Sequence, residues 1–87
     1  MTLHGQVVNS YEEVKTLQGR DGGAPRQARV FHVLLMTPAD PKAGIAPEVY
    51  NIVSYDPAYE LPKIGTDWRT PRIRSLECTG DVAEVRI

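Results

Sequence analysis

Cysteine is almost missing from this 87-residue chain, where Cys78 stands alone. A single thiol has no internal disulfide partner, which fits a reducing compartment and makes the cytoplasm the expected location. Histidine is scarce too. His4, His32 and Cys78 are the only soft metal ligands, and no two stand at zinc-site spacing, so neither a metal nor another cofactor is expected. No apolar run approaches the roughly 18 residues that span a bilayer. The opening "MTLHGQVV" lacks a basic stretch followed by a long apolar core, so neither a membrane partner nor a signal peptide is expected. Catalytic signatures are also lacking. Glu12 and Glu13 are adjacent and face opposite ways on a strand, so they cannot act as a carboxylate pair. "GRDGG" lacks the lysine and the serine or threonine of a phosphate-cradling loop. These gaps predict a protein that is not an enzyme and has no small-molecule substrate.

What is present suits one folded domain over residues 1–87. Apolar residues at 41% and charged residues at 24% are ordinary for a globular chain and argue against disorder. The net charge of -1 hides an asymmetry. Lys15, Arg20, Arg26 and Arg29 face only Asp21 between residues 15 and 29. Lys63, Arg69, Arg72 and Arg74 face only Asp67 between residues 63 and 74. Binding of a polyanion depends on local potential, so an acidic total does not exclude it.

Along the chain, Leu3 to Lys15 and Arg26 to Thr37 read as strands rich in β-branched residues, separated by a loop marked by Gly19, Gly22, Gly23 and Pro25. Gly5 is a candidate bulge or bend. "TPADPKAGIAP" is a connector, and "EVYNIVSY" is a third strand with Tyr50, Ile52 and Ser54 on one side. "DPAYELPKIGTDWRTP" reads as a long irregular segment in which Ala58 to Leu61 can make one helical turn. "RIRSLECTGDVAEVRI" closes as a hairpin turning at Thr79-Gly80-Asp81, with Cys78 as a small core residue. The sum is an all-β fold: a small five-stranded barrel with a long irregular segment before its C-terminal hairpin.

Two basic-aromatic clusters are candidate binding surfaces. On the second strand Arg29, Phe31 and Val33 share one face, while Ala28, Val30, His32 and Leu34 share the other and suit the core. That pattern sets a guanidinium beside an aromatic ring on an open face, unless Phe31 is itself core. Cations tracking phosphates and rings stacking on unpaired bases are how single strands are held. Trp68 lies in a polar segment next to Arg69, Arg72 and Arg74; it either plugs one end of a barrel or waits for a ligand. His32, inside "VFHVLL", reads as a satisfied strand histidine and not as a ligand.

The strand "LHGQVV", the glycine-rich first hairpin, the arginine-bearing "RQARVFHVLLM", and a third strand leading through a long connection to a last hairpin resemble an OB-fold barrel. The likeness is to small single-stranded DNA-binding proteins, of the bacterial and primosomal types and of the filamentous-phage helix-destabilising type. "APEVYNIV" is similar to the start of a late strand in the phage proteins. The resemblance implies that the first hairpin and the second and third strands contact the DNA, through Arg20, Arg26, Arg29, Phe31 and Tyr55. Adding the second cluster gives Arg20, Arg26, Arg29, Arg72 and Arg74 against phosphates, with Phe31, Tyr55 and Trp68 as stacking platforms. The partners expected are single-stranded DNA, bound without sequence specificity, and a second copy of the chain, since small barrels leave strand edges open. The setting implied is DNA replication in a phage or mobile element. The alternative is a small β-barrel module that docks protein through the same aromatic and arginine residues.

Overall fold

The computed structural model describes residues 2–19 and 22–87, Thr79 by its backbone alone, and they carry six strands. These are β1 (His4–Leu17), β2 (Arg26–Met36), β3 (Val49–Ser54), β4 (Asp67–Arg69), β5 (Ser75–Thr79) and β6 (Val82–Arg86). They form one sheet in the order β4-β1-β2-β3-β6-β5. Every neighbouring pair is antiparallel except β3 and β6, which run parallel. Among the described residues no helix is long and apolar enough to cross a membrane.

The sheet is curled into a half-barrel, and its hydrogen bonds explain why. The Thr70 amide donates to the Leu3 carbonyl alongside β1, and the Arg74 amide donates to the Arg86 carbonyl alongside β6, both at 2.8 Å. Four residue steps of extended chain reach roughly 14 Å. Five strand spacings in a flat sheet would cover roughly 24 Å. The two edges are therefore drawn toward each other. β4 is the strand that the sequence does not announce: with three residues, in a segment expected to be irregular, it makes the expected five strands six. Gly65 and Thr66 prolong its pairing, since the Val7 amide donates to the Thr66 carbonyl and the Gly65 amide to the Val7 carbonyl. Where one helical turn was expected, Asp56 instead caps a tight turn, its carboxylate accepting from the Ala58 amide at 2.9 Å.

Val7, Val33, Leu35, Ile52 and Val85 make the core, none more than 1% exposed. Leu3, Tyr50, Tyr59, Leu61, Ile73 and Ile87 pack around them. β2 is thus buried on both of its faces, not only on the expected one. Val33 belongs to the central core, and Phe31, expected on an open face, is 5% exposed against Tyr59 at a ring separation of 5.9 Å. Val30 and His32 on the opposite face are buried as well. β2 sits inside the sheet and, His32 apart, is apolar from Val30 to Leu35, so alternation has no polar face by which to orient it. Cys78, expected in the core, is exposed, because β5 is an edge strand.

Beyond Phe31 the pairing thins. β2 meets β3 only from Phe31 to Met36, so Arg26–Val30 pair with β1 alone. That two-stranded arm lengthens the molecule to 54 Å against 25 and 20 Å in the other directions. At the far end of β1, a Cβ on Gly5 would lie 2.2 Å from the Met36 carbonyl oxygen and 2.8 Å from its carbon. The neighbour is backbone and cannot swing aside. Gly5→Ala is expected to cost about 1–3 kcal/mol by overpacking, read as a lower urea midpoint with an unchanged slope. An unchanged midpoint would show that β1 and β2 separate there at no cost.

Candidate nucleic-acid interface

The arm and the closing strands meet at one end of the sheet. β1 and β2 bring Leu17 and Arg26; the end of β3 brings Tyr55 and Asp56; the approach to β5 brings Arg74; β6 brings Arg86. Together they line a groove of about 620 Å³. Two neighbouring hollows extend it. One is lined by Pro71, Arg72, Ile73 and Arg74, the other by Arg26, Gln27, Arg29, Tyr55 and Pro57. Arg74 is shared on one side and Arg26 with Tyr55 on the other, so a continuous trough runs from Arg72 to Arg29. Its acid is Asp56, whose side chain is engaged by the turn that it caps.

The residues singled out from the sequence divide sharply. Arg26, Arg72 and Arg74 are exposed, and Tyr55 is half-buried, all on this trough. Arg29 also borders it, but Glu12 holds its fork: Nε donates to Oε1 at 2.5 Å and Nη2 to Oε2 at 3.1 Å. The hydrogen bond from Arg29 keeps the Glu12 carboxyl below its usual range, so the pair persists at neutral pH. Arg29 also lies 5.5 Å from the Phe31 ring centroid, but Phe31 is sealed under Tyr59 and gives no stacking platform to solvent. Trp68 is half-buried on β4, packs against the core and does not line the trough. Arg20 lies outside the described residues.

Arg86 is the groove residue that the sequence reading missed. Its guanidinium lies over the Tyr55 ring, 4.4 Å from the centroid. It is an isolated base in an acidic stretch, and only the parallel pairing of β3 with β6 carries it to Tyr55. A signal was available: Arg86 ends a strand that alternates small apolar residues with charge, so its side chain had to leave the core. His32 is satisfied as expected, its Nε2 2.7 Å from Glu13 Oε2 and its Nδ1 3.2 Å from Asn51 Oδ1, with Tyr11 stacked on the ring at 4.7 Å. Among the described residues no three His, Cys, Asp or Glu side chains gather as a metal site.

No family model, characterised protein or solved structure matches this chain, which leaves the chemistry of the trough to indicate function. If the trough takes a polyanion, Arg29 is held in reserve by Glu12. Glu12→Gln frees one guanidinium, so affinity for a short oligo(dT) should rise and the log–log salt slope should steepen by about 0.7, the single-strand increment for one phosphate. A slope identical to that of the unaltered protein would place Arg29 outside the contact surface.

Proposed function

We propose that this chain is a single-stranded-DNA-binding protein of the OB type, holding its ligand along the trough from Arg72 to Arg26 without chemistry of its own. The observation that carries the reading is the meeting of the two cationic clusters, far apart in sequence, as Arg26 and Arg74 in one groove with Tyr55. The three exposed cations Arg26, Arg72 and Arg74 have no acid within ion-pair distance among the described residues. They are the groups to track phosphates. Tyr55 is the ring nearest to them, and Phe31 and Trp68 leave the list of stacking platforms because the core uses them.

The sheet supports the OB reading in a specific way. An OB barrel is a five-stranded, partly open Greek key whose binding surface is built from its second and third strands and adjoining loops. Here β1-β2-β3 form a meander, β3 runs parallel to the last strand, and β5 with β6 forms a hairpin. β4 and β5 are then two halves of one long strand, interrupted at Pro71, which has no amide to donate. The same reading includes a homodimer, with the outer edge of β5 as the place where a second copy pairs.

Anisotropy of a labelled oligo(dT), titrated at several salt concentrations, tests this. With three phosphates neutralised the log–log slope should be about -2, and Arg26→Ala or Arg74→Ala should each flatten it by about 0.7. The nucleic-acid reading fails if no binding is seen at low salt, and a protein-docking module is then the better account. Sedimentation of the free protein tests the dimer; a monomer at micromolar concentration removes it.

A further inference from the structure

Arg86 differs from the other arginines of the trough in both its support and its surroundings. Among the described residues only Arg29 and Arg86 lie over aromatic rings, and the fork of Arg29 is taken by Glu12. Arg86 makes no ion pair among the described residues, and its guanidinium carbon lies over the Tyr55 ring, so no carboxylate takes its fork. Guanidinium groups stack on aromatic faces, and their rigid fork matches two acceptors set side by side.

Its surroundings decide which acceptors suit it. Ser75, Glu77 and Glu84 line a small hollow with Arg86 on one side, and Asp56 lines the groove with it on the other. Glu77 and Glu84, which border Arg86 but not Arg26, Arg72 or Arg74 and are not paired with it, work against a phosphate brought to that point. A neutral partner is not repelled. The phosphates are left to Arg26, Arg72 and Arg74, and Arg86 is left facing a base.

We propose that Arg86 reads the edge of an unpaired guanine, giving the trough a preference for that base on top of its tolerance of sequence. This deepens the single-strand reading and rests on it. Guanine presents O6 and N7 as adjacent acceptors, the pair that an arginine fork contacts most often. Thymine and adenine interrupt their acceptors with a donor. Cytosine offers N3 and O2 when unpaired, but its smaller ring buries less flat surface against the apolar Leu17 and Ile87 of the groove.

The test compares a short oligo(dT) with the same strand carrying one central guanine, 7-deazaguanine or cytosine, one guanine being too few to fold on itself. The guanine strand should bind about fivefold tighter, the low end of what one bidentate pair discriminates. 7-Deazaguanine, which lacks the N7 acceptor, should lose that gain. Arg86→Met, which keeps an unbranched stem of similar reach and removes every donor, should abolish the preference while the salt slope holds, because Arg86 neutralises no phosphate. Equal affinity for the guanine and all-thymine strands, a preference that survives Arg86→Met, or cytosine binding as tightly as guanine would each overturn the proposal. Those outcomes leave the single-strand reading standing; absence of any binding to oligo(dT) at low salt sinks the reading beneath it as well.

Discussion

Four residue steps, from the amide of Thr70 to the amide of Arg74, tie one margin of the sheet to the other. Most other features follow from that tether. A six-stranded sheet left flat would expose its core face and splay Arg26 away from Arg74. Curled, it seals Val7, Val33, Leu35, Ile52 and Val85 on its concave side and sets the start of β2 near the start of β5. Pro71 sits within the tether, where a missing amide is no loss, because the chain there is leaving one ladder and joining another. Burial and the groove are thus two outcomes of one geometric restriction.

Charge is arranged to match. The chain is slightly acidic overall, but the trough collects Arg26, Arg72 and Arg74 while acids dominate elsewhere. A polyanion meeting such a molecule is attracted to one side and repelled from the rest, which favours a single orientation more than a uniformly basic surface would. Asp56 is the exception inside the trough. Its carboxylate accepts from Ala58 and its carbonyl from Tyr59, holding the turn that follows Tyr55. Without that turn neither Tyr55 nor Tyr59 would be fixed, and Tyr59 is the ring that covers Phe31.

Much of the chain's plan was legible as sequence, and the failures share a cause. The long β-branched runs, the glycine loop and the last hairpin mark β1, β2, β3, β5 and β6 because each is a local signal. The hairpin turn is the clearest, since Gly80 takes a positive φ of 75° that a side chain would resist. β4 was not legible: three residues between Gly65 and Pro71 become a strand only because β1 offers an edge to them. The burial of both faces of β2 was not legible because a central strand with apolar residues on both sides has no alternation to read. Local charge and aromatic content single out Arg26, Tyr55, Arg72 and Arg74, which the fold brings to one trough. Arg86 was missed because its place depends on β3 and β6 lying parallel, a long-range pairing with no local mark.

The arm sets the last constraint. Residues Arg26–Val30 have only β1 for company, and a two-stranded ribbon is marginal in water. Its root is firm: Val30, Phe31 and His32 are buried, and Glu13 and Asn51 hold the His32 ring from both sides. Its end is not, since Val14 is 58% exposed on the strand opposite Arg29. Leu17 and Arg26, which form one wall of the groove, therefore sit on the least supported pair of strands in the sheet. The groove's other residues include Arg86, on a strand paired on both sides, and Tyr55, the residue that follows β3. The groove thus has one stiff wall and one compliant wall, and a ligand spanning both adds to the arm the contacts that a third strand would otherwise supply.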